Sequence, residues 1–277
     1  MRPKPKPAPP PPAPGALKTL DRVLSKAGLG SRTQARSWIG AGRVRVNGRL
    51  IRTPDHWVDL GRDKVTFDGR QVLTPRRLYL LLYKPKGYLT TLRDPQHRPT
   101  VYDLLTDVDT YVFPVGRLDQ DSSGLLLLSN DAQFAERLTN PEYKVPKTYL
   151  VKTSTLLSQE QLERLRAGVT LKDGPTRPAE VRRVRDSGAH TFFEICITEG
   201  RNRQVRRMVE AIGSKVLKLV RVAIGPIEIG GLAIGKYRAL SHAEVRALLH
   251  SSAGSARRNK LSLTGVVSQR HHRQEQE

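Results

Sequence analysis

Cysteine is nearly absent: Cys196 stands alone in 277 residues. A single thiol excludes an intramolecular disulfide and a cysteine-based zinc site. Long apolar runs are missing as well. The longest, residues 78–83, falls far short of the ~18 residues that a membrane span requires. Acid is scarce, with 26 Asp and Glu against 48 Lys and Arg, a net charge of +22. Such a balance argues against cationic ligands and favours a polyanion, of which nucleic acid is the commonest. Its plain competitor is a basic surface that serves only solubility. No Gly-x-Gly-x-x-Gly follows a strand, and neither a P-loop nor a metal-ligand cluster occurs, so the expectation is no cofactor and no metal. With 38% hydrophobic residues the chain can still bury a core. A soluble, intracellular, globular protein of one large or two smaller domains is expected, cytoplasmic and without a membrane partner.

Proline and charge mark the ends. Residues 1–19 hold eight of the 19 prolines, four Lys or Arg and no acid. That density prevents helix and predicts a disordered, basic, proline-rich arm. No apolar stretch follows its charged start, as a signal peptide would need, and the first serine is Ser25. Residues 251–277 predict a second disordered basic tail. The arm carries +4 and the tail +3, which leaves +15 on residues 20–249.

Residues 20–67 carry ten Lys or Arg against four Asp. Leu20, Val23, Leu24 and Ala27 have helical spacing, stopped by the glycines at 28 and 30. Ser31 is positioned to cap a second helix bearing Ala35, Trp38 and Ile39. Val44 and Val46 alternate with Arg45 ahead of an Asn47-Gly48 turn, a strong hairpin signal. The run LDRVLSKAGLGSRTQARSWIGAGRVRVNG resembles the S4 RNA-binding fold. That resemblance implies RNA contacts at Lys26, Ser31, Arg32, Arg36 and Arg43. A solvated helix face is the alternative for these arginines, but neighbouring like charges repel unless an anion offsets them.

Beyond a linker at 75–77 the pattern becomes mixed. Strands are predicted over 78–84, 111–115, 125–129, 147–153, 178–185, 190–198, 215–222 and 226–229. Helices are predicted over 131–138, 158–168, 202–212 and 241–250. Ser158 with Gln161 reads as a capping box. Val205, Met208, Val209 and Ile212 form an apolar stripe closed by Gly213. Strands outnumber helices without alternating regularly with them. The fold class is therefore α+β, a small module of two helices and a hairpin followed by a domain with a mainly antiparallel mixed sheet flanked by helices.

The stretch YVFPVGRLDQDSSGLLLLSND, residues 111–131, sets two carboxylates, Asp119 and Asp121, in a polar turn between apolar strands. An EF-hand loop fails here, because its twelfth position is Asn130 and 125–128 are all leucine. Ser122 and Ser123 lack the Gly-x-Ser-x-Gly turn of a nucleophile. Ordinary turn aspartates remain an open alternative on residue chemistry alone.

The segment GRLDQDSSGLLLLSND resembles the motif of pseudouridine synthases, in the ribosomal RNA branch typified by RsuA and RluB. KTYLV at 147–151, EGRNRQVRRM at 199–208, KPKGYLTT at 84–91 and the run 216–245 follow the same family; His97 stands where relatives often carry Gly. The similarity spans residues 20–250, as an S4 module over 20–75 with its linker and a synthase domain over 76–250. It implies isomerisation of uridine in ribosomal RNA, 23S more than 16S, free or within a ribosome assembly intermediate, by a monomer. A non-catalytic S4-type assembly protein and an S4-bearing methyltransferase are the competing classes. The latter lacks a glycine-rich donor loop here, and the former has no need of Asp119, Tyr149 and Arg206 together.

By motif position Asp119 is the essential carboxylate, as nucleophile, base or cation stabiliser. A pocket stripped of water favours a neutral acid, so a neighbouring cation is needed, and Arg206 is the expected partner. Tyr149 is implied to stack beneath the uracil and Leu219 to close its other side. Arg117 is implied to fill the hole left by the flipped base, and Lys147 and Arg221 to contact phosphate or line the pocket.

Overall fold

A computed structural model describes residues 17–73 and 76–251. The expected basic tail beyond residue 251, and the arm before residue 17, lie outside the described residues. The described chain forms two units, one of residues up to 77 joined by Val108–Val112, the other of Leu78–Asp107 and residues from 113 onward.

In the first unit, β1 (Lys18–Thr19) leads into α1 (Leu20–Lys26), followed by α2 (Arg32–Gly40). Ser31 caps α2 as expected, in a capping box with Gln34, and the box expected between Ser158 and Gln161 opens the helix Gln159–Ala167. Five short strands follow: β2 (Val44–Val46), β3 (Arg49–Ile51), β4 (Trp57–Val58), β5 (Val65–Phe67) and β6 (Arg70–Gln71). β2 and β3 form the expected hairpin, with Asn47 and Gly48 at φ 50° and 81°. The sheet runs β3-β2-β5-β6, antiparallel throughout, while β1 pairs with β4. Leu20, Val23, Leu24, Ala35, Ile39 and Val44 meet in its core, all fully buried. Tyr111 donates its backbone N–H to the Gly28 carbonyl at 2.8 Å. Residues 111 and 112 thus belong to this unit, and the strand expected over 111–115 begins only at Phe113.

The second unit carries β7 (Tyr79–Lys84), β8 (Phe113–Val115), β9 (Ser123–Ser129), α3 (Ala132–Thr139), β10 (Lys147–Thr153) and α4 (Gln159–Ala167). A two-strand ribbon, β11 (Thr170–Leu171) and β12 (Gly174–Pro175), precedes β13 (Glu180–Ser187) and β14 (His190–Ile197). Then come α5 (Gln204–Ala211), β15 (Val216–Ile224), β16 (Ile227–Glu228), β17 (Tyr237–Ala239) and α6 (His242–Leu249). The main sheet runs β13-β14-β10-β15-β9-β7-β17, with β8 on β9 and β16 on β15. The α+β class and the mainly antiparallel sheet are as expected from the sequence. Only β9 and β15 run parallel within that sheet, through Val220–Ser123 and Arg221–Gly124.

Two cores flank the sheet. Phe193, Ile195, Val151 and Leu219 pack with the apolar stripe of α5 and with Leu162 and Leu165 of α4. Leu81, Leu125 and Leu127 pack with Phe134 and Leu138 of α3 and Leu248 of α6. Leu125 to Leu128 are all fully buried, which is why this strand reads as an unbroken apolar run. α5 begins at residue 204 rather than 202 because Arg203 takes a left-handed φ of 48° as its N-cap. The lone parallel junction lies where the loop between β8 and β9 meets β15.

Candidate active site

The loop over 116–122 is held from beneath by the segment that follows β7. Lys84 is fully buried, and its Nζ donates to the carbonyls of Asp119 (3.0 Å), Ser122 (2.8 Å) and Pro85 (3.0 Å). Burial pushes this ammonium down to about 8, against the nearby charges of Asp119 and Asp121, which hold it up. Thr90 Oγ1 donates to the Leu118 carbonyl at 2.8 Å, and the Gly87 N–H donates to the Gln120 carbonyl at 2.7 Å. The KPKGYLTT segment thereby fixes the backbone on both sides of Asp119. A lysine ending an apolar strand is the sequence signal for Lys84, because a buried charge there must find carbonyl partners.

Gly124 locks the other end of the loop. Its φ is +116°, and a Cβ there would sit 2.3 Å from the carbonyl oxygen and 2.5 Å from the nitrogen of Arg221. The parallel pairing of β9 with β15 closes only because that side chain is missing.

A cleft of about 340 Å³ opens over this junction. Arg117, Asp119, Lys147, Tyr149, Leu219 and Arg221 all line it, so six residues expected from three separate motifs meet at one place. Tyr149 of β10 lies opposite Arg221 of β15 in the strand register. Leu219 is buried, whereas Arg117 is exposed at the rim. Arg221 Nε donates to the Leu125 carbonyl at 2.7 Å, while its Nη2 is buried without a hydrogen-bond partner.

Arg206 departs from expectation. Its Nη2 pairs with the Asp121 carboxylate at 3.2 Å and donates to the Asp121 carbonyl (3.1 Å) and Ser122 Oγ (3.3 Å). The cation paired with Asp119 is Arg203, Nη1 to Oδ2 at 3.8 Å. Arg203 also makes a two-pronged contact with Asp121, both arms at 3.2 Å. The reason lies at the start of α5. Arg206 sits a turn inside the helix, 9% exposed, and reaches the loop from behind. The left-handed Arg203 projects from the helix end toward both carboxylates. Burial alone would raise the Asp121 carboxyl, but the Arg203 hydrogen bonds and the Arg206 charge outweigh it and hold it below the usual range. Sequence reasoning missed Arg203 and Lys84 and read Asp121 only as a turn carboxylate, although each lies inside a motif already quoted. Among the described residues, no group of three or more His, Cys, Asp or Glu could hold a metal ion.

The five residues that the S4 resemblance implies for RNA contact lie on the first unit. Ser31 spends its hydroxyl on the α2 cap, accepting from Gln34 N at 3.3 Å. Arg32 and Arg36 both pair with the buried Asp21, at 2.9 and 3.2 Å, and Arg36 also reaches Asp55. Arg43 pairs with Asp68 and lies over the Phe67 ring at 4.7 Å. The fold thus supplies its own anions for these three arginines, and like-charge repulsion is no longer evidence that they await an external one. Lys26 is exposed at the end of α1.

Among the described residues, no helix is long and apolar enough to cross a membrane. Residues 78–211 match the family model for RNA pseudouridylate synthase, and 18–63 match the S4 domain. An uncharacterized RNA pseudouridine synthase of Aquifex aeolicus is 43% identical over 230 residues, 83% of this chain and 92% of that one. The ribosomal large subunit pseudouridine synthase B of Bacillus subtilis is 38% identical, over 84% of this chain and 96% of its own length. A solved pseudouridylate synthase structure matches with a TM-score of 0.61 at 29% identity, covering 83% of this chain and 99% of the other. With its cleft at the parallel junction and an S4 domain ahead of it, the chain belongs to the RNA pseudouridine synthase family of isomerases.

Proposed function

We propose that this chain converts a uridine of 23S ribosomal RNA into pseudouridine, with Asp119 as the essential carboxylate. The observation that carries this reading is the Asp119 loop, pinned by Lys84 at the edge of a cleft whose wall also bears Tyr149 and Leu219. The similarity to a large-subunit enzyme over nearly its whole length supports 23S as the substrate.

In this reading the target nucleotide leaves its stack, at a cost of a few kcal/mol, and enters the cleft. Arg117, exposed at the rim, fills the gap that it leaves. Tyr149 and Leu219 take the uracil between an aromatic face and an aliphatic one. Asp119 offsets the positive charge that develops at C1′ as the bond to N1 breaks. Asp121 holds Arg203 and Arg206 beside it, and Arg203 also pairs with Asp119, so positive charge flanks the loop's carboxylates. The module over 20–75, with Lys26, Ser31, Arg32, Arg36 and Arg43 on its surface, contributes salt-dependent affinity, and the domain over 76–250 selects the site. The protein acts as a monomer in the cytoplasm, on 23S RNA that is free or within an assembly intermediate.

The test is mapping of pseudouridine in ribosomal RNA from cells lacking the gene. A 23S position lost with the gene, regained with the intact chain and not with Asp119→Asn, is the expected result. A lost 16S position, or rescue by Asp119→Asn, would refute it.

A further inference from the structure

Two cations inside the cleft have no carboxylate partner among the described residues. Arg221 is 4% exposed and keeps a buried Nη2 without any hydrogen-bond acceptor. Lys147, half-buried at the start of β10, has no hydrogen bond or ion pair among the described residues. Burial and the Arg221 charge push its ammonium down to about 8. Two like charges sharing a partly dry wall are unfavourable alone and become favourable once an anion sits between them. Both flank Tyr149: Lys147 lies two residues before it on β10, and Arg221 lies opposite it on β15.

The anion could be a phosphate or the base. Phosphate groups run along the RNA backbone, and two exposed arginines of the cleft, Arg117 and Arg203, are available to them. Arg221, 4% exposed, lies too deep for a backbone contact and stands opposite Tyr149 in the strand register. The reaction itself makes an anion at that depth. Breaking the N1–C1′ bond leaves its electron pair on uracil, where the charge spreads from N1 to O2 and O4.

We propose that Lys147 and Arg221 form a cationic seat that holds the detached uracil anion between its release from C1′ and its reattachment through C5. This rests on the uridine-isomerising reading above. Atoms and electrons balance without a co-reactant. N1–C1′ breaks, C5–C1′ forms, the proton on C5 leaves to water, and N1 takes one from water. Lys147 and Arg221 transfer nothing; they offset charge that exists only while the base is free, which is the condition for accelerating the chemical step.

The test measures single-turnover tritium release from 23S RNA labelled at uracil C5, with enzyme in excess, for the intact chain, Lys147→Met and Lys147→Arg. RNA affinity is measured in parallel at several salt concentrations. The charged and titratable groups against Lys147 are Arg221 of β15 and Cys196 of β14, with Asp119 and Glu199 elsewhere on the cleft wall. Lys147→Met is expected to slow the step about 100-fold, with RNA affinity and its salt slope unchanged. The intact chain should slow as pH rises through about 8, and Lys147→Arg should keep its rate to higher pH. A full rate at saturating RNA with a salt slope reduced by about one would make Lys147 a phosphate contact and overturn the seat. Should Lys147→Met fail to fold, the pH profile decides: identical falls for the intact chain and Lys147→Arg would overturn it. Absence of tritium release by the intact chain would overturn the underlying reading, and the seat with it.

Discussion

Gly124→Ala isolates the contact on which the site's backbone depends. The new methyl would stand 2.3, 2.5 and 2.9 Å from the O, N and C atoms of Arg221, all backbone, so no side chain can rotate away. Reaching an ordinary contact requires β9 and β15 to separate by roughly an ångström, enough to break their hydrogen bonds. Two ladder bonds at about 1 kcal/mol each, about 1–2 kcal/mol for positive φ, and lost packing around Leu219 sum to about 4 kcal/mol. For a domain of this size that lowers Tm by roughly 8–16 °C. Gly116→Ala supplies the comparison. It also has positive φ, +79°, but its nearest neighbour is Thr139 Cγ2 at 3.5 Å, so it pays the backbone term alone, about 1 kcal/mol. Differential scanning calorimetry of the three chains at pH 7 reads both effects. Equal shifts for the two variants would refute the close-approach explanation and leave only the φ penalty.

Other perturbations follow the same logic. A depressed lysine binds its proton less readily in the folded chain, so between about pH 8 and 10.5 the unfolded chain holds more protons and stability rises with pH. Lys84 and Lys147 each contribute about 3 kcal/mol to that rise, and Lys84→Met should remove half of it in calorimetry at pH 8 and 10. Glu244 is held down to about 2 by Arg238, so its contribution is present above about 4.5 and lost as pH falls toward 2. Glu244→Gln should cost about 1–2 kcal/mol at pH 7 and nothing at pH 2, read by urea denaturation. Replacing Arg32 and Arg36 together by Ala leaves the buried Asp21 unpaired, which should destabilise the first unit by about 3–5 kcal/mol; unchanged melting would contradict the pairing. Arg45 and Arg49, which pair with no carboxylate among the described residues, should instead flatten the salt dependence of RNA binding when changed to Ala, without loss of stability.

The elements legible in the sequence were those with a repeating signal. α4 and α6 came within a residue or two of expectation, because caps and apolar spacing mark both ends. The two- and three-residue strands β1, β4, β6 and β17 carry too few residues for an alternation to register. The apolar run over 111–115 exceeds the strand because Tyr111 and Val112 belong to the first unit, where the Tyr111 N–H donates to the Gly28 carbonyl. At the site, motif resemblance picked the residues that line the cleft but not those that hold it. Motif position points to Arg206 as the partner of Asp119, and only three-dimensional reach distinguishes it from Arg203. Lys84 was hidden by its type, since a lysine reads as exposed until a strand end and three carbonyls are seen to enclose it. The partners of Arg32, Arg36 and Arg43 are hidden for the opposite reason: Asp21, Asp55 and Asp68 lie 11 to 25 residues away along the chain, so sequence spacing does not show the pairing.

The central claim is that Asp119, in this cleft, drives isomerisation of uridine in 23S RNA. Tritium at uracil C5 is expelled only when the new carbon–carbon bond forms, so its release to water counts the reaction itself. With 23S and 16S RNA so labelled, the intact chain should release tritium from 23S alone, and Asp119→Asn, which keeps the side chain's shape without its charge, should release none. Release from 16S alone, or comparable release by Asp119→Asn, would contradict the account.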